Sequence, residues 1–148
     1  MLRRLFVAVL GLSMFGLVSA ANAQDVEVPL GEETVLRIIK DIDTVDVRSI
    51  PGRFRGIRVY ALDGTAVDIT KIDIHYADGS VYTEDRGKLI QLNQIDKRTR
   101  VMGPTGDKAG ERFIDKIVFF YKTAPGEDRR ARIRVVGVTS PSGARAVR

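Results

Sequence analysis

From Thr34 onwards, short β-branched runs alternate with Gly, Pro and Asp-Gly breaks, the pattern of short strands joined by turns. Thr34–Val47 is mixed: Val35, Ile38, Ile39 and Ile42 fall at helical spacing. Ile38, Ile42, Val45 and Val47 are β-branched, however, and Asp43-Thr44 is poor helix material, so strands are favoured there. Beyond a Pro51-Gly52 turn, Arg53–Leu62 predicts a strand with Ile57, Val59 and Ala61 on one face and Arg58 and Tyr60 on the other. Phe54 has the opposite parity, which calls for a bulge at Gly56. Asp63-Gly64 predicts a hairpin turn. The apolar parity then changes between Val67/Ile69 and Ile72/Ile74/Tyr76, placing another bulge near Thr70-Lys71. Asp78-Gly79 predicts a second hairpin, and a two-residue loop there would set Tyr76 against Val81 and Ile74 against Thr83.

Leu89–Gln94 and Thr99–Met102 are shorter strand candidates, separated from the next by a Gly103-Pro104-Thr105-Gly106-Asp107 loop. Phe113–Lys122 is apolar on both faces, with Ile117, Phe119 and Tyr121 on one and Ile114, Val118 and Phe120 on the other, as expected of a central strand. Ala124–Asp128 is a turn, and Arg130–Val138 closes the pattern with Ala131, Ile133 and Val135 inward and Arg130, Arg132 and Arg134 outward. The expectation is an all-β fold: one antiparallel β-sandwich, jelly-roll or immunoglobulin-like, over residues 34–138. Residues 24–33 read as a polar lead-in with at most one short edge strand, and 139–148 as a flexible tail.

The N-terminus has a different texture. Arg3 and Arg4 precede an uncharged, mostly apolar stretch of 14 residues, Leu5–Val18, and then small residues. This is the layout of a secretory signal peptide over residues 1–23, with Ala21 and Ala23 at the small-residue positions and cleavage before Gln24. A cut after Ala20 is the alternative. The stretch is short of the ~20 apolar residues that span a bilayer. No Cys follows it, which excludes a lipoprotein, and the Arg pair lacks the flanking pattern of the twin-arginine route. Composition agrees with a folded domain: 44% of the 148 residues are hydrophobic and 29% charged. Lys+Arg 24 against Asp+Glu 19 gives +5. Removing residues 1–23 takes two arginines and no acids, leaving 125 residues at +3. With no Cys and one His, disulfides, thiol nucleophiles and His-rich zinc sites are excluded.

Four blocks, Gly52–Val59, Val67–Gly79, Arg112–Tyr121 and Ala131–Gly137, in this order resemble small exported bacterial proteins of unknown function with a predicted β-sandwich. The resemblance spans roughly residues 30–138. It implies the fold and export and brings no catalytic residues.

Little in the chain resembles a catalytic constellation. His75 lies beside Ile74 and Tyr76 on the opposite parity, and Asp78 and Ser80 sit in a tight turn, so it reads as a half-exposed strand residue. Asp41, Asp43 and Asp46 could offer oxygen ligands to calcium, but no EF-hand Gly or terminal Glu follows, and a solvated strand face is expected. Asp68 and Asp73 are the candidate pair for a hydrolase. The arginines weigh more. Arg53, Arg55 and Arg58 fall on one strand, Arg98 and Arg100 on another and Arg130, Arg132 and Arg134 on the last, so outward Arg rows could hold phosphate, sulfate or uronate groups. The competing expectation is cross-strand pairing with Asp68, Asp73, Glu84 and Asp115. Nucleic acid is not expected at +3 without interleaved aromatics, and neither a cofactor, a metal nor a membrane span in the mature chain is expected.

The chain therefore reads as a non-enzymatic binding or interaction module of the bacterial envelope, periplasmic or secreted. Its partner would be an anionic glycan or lipid, or a protein. The alternatives are an envelope hydrolase using the paired carboxylates and a structural subunit that pairs through an edge strand.

Overall fold

A computed structural model of the protein describes residues 24–35, 42–62, 67–85, 90–92, 98–123 and 131–148. Within them the fold is all-β, with two antiparallel sheets. The strands are β1 (Val26–Val35), β2 (Ile42–Asp46), β3 (Gly56–Ala61), β4 (Val67–Tyr76), β5 (Val81–Glu84), β6 (Ile90–Leu92), β7 (Ile114–Thr123) and β8 (Ala131–Thr139). One sheet has the order β1-β8-β3, and the other the order β2-β7-β4-β5, with β6 also on β4. Residues 98–102 run beside β3 through bridges Tyr60–Arg98 and Ile57–Met102, with reciprocal backbone hydrogen bonds between Ile57 and Met102.

The alternation read from the sequence becomes a single core between the sheets. Ile57, Val59, Ile133 and Val135 face Ile72, Ile74, Ile117 and Phe119, all fully buried. Burying an aliphatic or aromatic side chain of this size stabilises by ~1.5–3 kcal/mol, so this face decides the register. The bulge expected near Thr70 is present: the β4–β7 register shifts between Ile69 and Lys71, and both Ile69 and Ile72 point inward. A second shift lies between His75 and Tyr76, opposite Asp115. It turns Ile114 into the core with Ile117, so Ile114 does not share the outer face with Val118 and Phe120. β7 is central, as its composition implied, but its outer face is only half covered; Lys71 Nζ stands 4.5 Å over the Phe120 ring.

Gly56 marks a change of direction. Phe54 bridges Arg112, whereas Ile57 bridges Met102, and Gly56 packs on the Met102 carbonyl with no space for a Cβ. Phe54 is fully buried between Gly52 and Gly137.

Four expectations are corrected. The flanks of Asp63-Gly64 do not form a hairpin, because β3 and β4 belong to different sheets; the turn residues 63–66 lie outside the described residues. The Asp78-Gly79 hairpin exists with a register one residue different: His75 faces Val81 and Ile74 faces Tyr82. The loop has three residues, closed by Tyr76 N–H to Ser80 C=O (2.9 Å) and Gly79 N–H to Tyr76 C=O (3.0 Å), with Gly79 at φ +87°. That conformation favours glycine, and it makes the turn a type I turn with a bulge. The lead-in is a full ten-residue edge strand, β1, paired along its length with β8. The alternation Val26, Val28, Leu30 supplies its inward face, and Pro29-Gly31 is absorbed by a register shift. The tail is not frayed. A short helix, α1 (Pro141–Ala144), is capped by Ser140 Oγ accepting from Gly143 N–H. It is tied back by Arg53 N–H to Gly143 C=O and by Arg148 to Asp115.

Candidate functional site

The arginine rows are distributed, not gathered. Arg58 on β3 and Arg132 and Arg134 on β8 lie on the outer face of the three-stranded sheet, and Arg55 lies just before β3. Arg130 is outside the described residues. Arg53 is elsewhere: its guanidinium sits 4.9 Å over the Phe113 ring, which Arg148 shares at 5.4 Å. The described arginines of the first and last rows are matched by acids of β1 and the residue before it, whereas Arg100 pairs with Glu84 as the cross-strand expectation had it. Arg55 pairs with Asp25, Arg58 with Glu27, and both Arg132 (3.1 Å) and Arg134 (2.9 Å) with Glu32. Tyr60 Oη also donates to Glu27, at 2.7 Å. The guanidinium of Arg134 holds the Glu32 carboxyl below its usual range. Arg58 Nε is buried without a partner beneath this cluster.

The other candidates are also occupied. Asp73 accepts from Thr83 Oγ1 (2.7 Å) and pairs with Lys71 (3.2 Å) on the outer face of its sheet; the side chain of Asp68 is outside the described residues. Asp43 accepts from the Tyr121 hydroxyl, and Asp46 binds Arg48 through its N–H and guanidinium. That bond from Arg48 holds the Asp46 carboxyl down at about 2. Asp41 is outside the described residues. Among the described residues no group of three or more His, Cys, Asp or Glu side chains could hold a metal ion. His75 is half-buried on the outer parity of β4, as expected.

Among the described residues a concavity lies at the edge of the second sheet. A cleft of about 530 Å³ runs between the β4–β5 hairpin (Tyr76, Asp78, Ser80–Thr83) and the 104–112 segment (Pro104, Thr105, Lys108, Arg112). This volume falls within the range of small-ligand pockets. The far wall is set by the fold. Phe54 and Arg112 exchange both backbone hydrogen bonds, at 2.8 and 3.0 Å, so the buried Phe54 ring fixes where Arg112 stands. Below the cleft, Glu84 is buried on β5 and is held by Arg100 and by the Tyr82 hydroxyl, which ties β5 to the 98–102 segment of the other sheet.

The cleft wall carries positive charge beside a buried tyrosine. Arg112 Nε lies 3.8 Å from Asp78, and Arg112 Nη2 donates to the Lys108 carbonyl at 2.6 Å. The Asp78 carboxyl accepts from the Ser80 hydroxyl and N–H, and these bonds lower its pKa. Lys108 is exposed and forms no ion pair among the described residues. Tyr76 is 3% exposed, has the Arg112 guanidinium 5.3 Å over its ring, and its hydroxyl has no hydrogen-bond partner. Burial pushes that hydroxyl up to about 12, so it remains a proton donor at all ordinary pH.

Sequence reading did not single out this site. Gly103–Asp107 was legible only as a loop, and Arg112 and Tyr76 only as strand residues. The usable trace was two tyrosines flanking an Asp-Gly turn. No described helix is long and apolar enough to cross a membrane. No curated protein and no solved structure matches the chain. Residues 5–137, most of the chain, match a single family, and the protein accordingly belongs to the family described as Domain of unknown function (DUF2541).

Proposed function

We propose that the protein is an exported, non-catalytic binding module of the bacterial envelope that holds an acidic group of its partner in the β5 cleft. The observation carrying this is the convergence of Lys108 and Arg112 on one concavity beside the Tyr76 ring. The outer-face arginines are the weaker choice, because Asp25, Glu27 and Glu32 already neutralise most of them. The imidazole of His75 is not among the cleft-lining residues, so a binding role suits the cleft better than acid–base chemistry. Export rests on Arg3-Arg4, the Leu5–Val18 stretch and Ala21/Ala23; N-terminal sequencing of the cell-processed chain should begin at Gln24.

The strand pairing favours the jelly-roll form of sandwich. Counting residues 98–102 as the sixth strand of the ladder, first pairs with eighth, second with seventh, third with sixth and fourth with fifth. That is one long antiparallel hairpin rolled over on itself.

The test is retention on anionic supports. Wild-type protein should be retained on at least one of immobilised polyglutamate, oligogalacturonate or phosphatidylglycerol vesicles, and the Lys108→Ala/Arg112→Ala double variant should lose most of that retention. Equal behaviour of the two proteins, or no retention by either, would overturn the proposal.

A further inference from the structure

The cleft is lined by four consecutive residues, Ser80 and the first three of β5, Val81, Tyr82 and Thr83. Consecutive residues point to opposite faces of a sheet, so a cavity that touches all four lies along the strand's edge and not over one face. β5 is the terminal strand of its sheet. Its hydrogen-bonding phase follows from the closing bond of the hairpin, Tyr76 N–H to Ser80 C=O. In the observed register that phase makes Ile74–Tyr82 and Ile72–Glu84 the hydrogen-bonded pairs. The N–H and C=O groups of Val81 and Thr83 therefore point outward, towards the cleft. Exposed edges are usually blunted by Pro, Lys or inward charges. Here the shortness of β5 is the main protection: Val81 is 50% exposed, and Glu84 is drawn inward to Arg100.

Resting on the reading of the cleft as the binding site, we infer that the partner is an extended acidic peptide segment that adds to β5 as a further strand. Its backbone would bond the outward groups of Val81 and Thr83, and an acidic side chain would meet Arg112 and Lys108 on the opposite wall. Main-chain pairing would give affinity, and the cationic wall would select for acidic sequences. A glycan of equal charge lacks the repeating amide pattern that this edge matches, which is why the peptide is favoured over a uronate.

The experiment titrates ¹⁵N-labelled mature protein with an acetylated, amidated peptide of alternating threonine and glutamate. Its controls are the same peptide N-methylated at alternate residues, and oligogalacturonate. Strand addition predicts saturable shifts and slowed amide exchange at Val81 and Thr83, with at least tenfold weaker binding of the N-methylated peptide. Lys108→Ala/Arg112→Ala should weaken the peptide by at least tenfold. Thr83→Pro removes one outward N–H that the sheet does not use, so it should remain folded by circular dichroism and lose binding. If Thr83→Pro disturbs folding, the N-methylated peptide decides the matter. Equal binding of both peptides overturns strand addition, as does binding of the uronate alone, which would leave the anionic cleft standing. If neither probe binds, both readings fall.

Discussion

Replacing Gly137 by alanine tests the packing that positions the cleft. A Cβ at Gly137 would lie 2.6 Å from Cε1 and 2.8 Å from Cγ of Phe54, and nearer still to Cδ1. That is about 1 Å inside the ~3.5 Å closest favourable carbon–carbon approach. The ring has little room to swing, because its tip packs so closely on Gly52 that a Cβ there would stand 2.7 Å from Cζ. The backbone of Phe54 is held by two hydrogen bonds to Arg112. Nor can Gly137 retreat, since β8 lies between β1 and β3. With the ring tip packed on Gly52 and β8 held between two strands, the substitution belongs at the upper end of overpacking costs, ~3 kcal/mol. Urea unfolding should show that loss as a lower midpoint at unchanged slope. Phe54→Leu should relieve it: the double variant should be more stable than the sum of the single effects by at least ~1 kcal/mol. Gly79→Ala, where nothing lies within 4 Å but φ is +87°, serves as a strain-only control expected near ~1 kcal/mol. A Gly137→Ala variant within ~0.5 kcal/mol of wild type, or strictly additive effects, would refute the reasoning.

The outer face should separate a partly buried ion pair from an exposed one. Glu27→Ala removes the acceptor of both Arg58 and Tyr60, whose pair is only 21% and 31% exposed at Arg58 and Glu27, and should cost ~1–2 kcal/mol in urea unfolding. Glu32→Gln, on an exposed pair, should leave the unfolding midpoint unchanged. Tyr76→Phe should be neutral or stabilising by up to ~1 kcal/mol, because it removes a buried hydroxyl that has no partner; a loss above that range would mean the hydroxyl is satisfied in the free protein. The Asp46 carboxyl is held at about 2 by the Arg48 hydrogen bond, below its ordinary 3.8. A lowered folded-state value stabilises above the ordinary pKa and is lost as pH falls through the lowered one. Unfolding followed from pH 5 to pH 2 should therefore show a decline that Asp46→Asn flattens, and parallel profiles would contradict the assigned pairing.

Much of the fold was legible because burial writes a period of two into the chain. The parity change at Ile69/Ile72 called the Thr70 bulge, and Ile133/Val135 against Arg132/Arg134 oriented β8. What was missed depended on partners distant in sequence. Asp63-Gly64 has the local chemistry of a hairpin, yet β3 finds its partner in β8, because the two sheets divide the chain between them. A glycine at positive φ in a three-residue loop moved the β4–β5 register by one, which sends Tyr82 and Glu84 inward. Residues 24–33 looked polar because an edge strand with one solvated face carries Glu27 and Glu32 on that face, where they meet the arginines. Arg112 and Lys108 became site residues only when the Phe54 bridge brought the 104–112 segment up to the β5 edge. Strand periodicity has no term for such a cleft.

The most direct measurement is a residue-resolved map of amide shifts on the mature protein as the alternating threonine–glutamate peptide is added. Binding in the cleft predicts saturable changes confined to the 76–83 hairpin and the 104–112 segment. Changes centred on Arg132, Arg134 and Glu32 on the outer sheet face, or no saturable change anywhere, would contradict it.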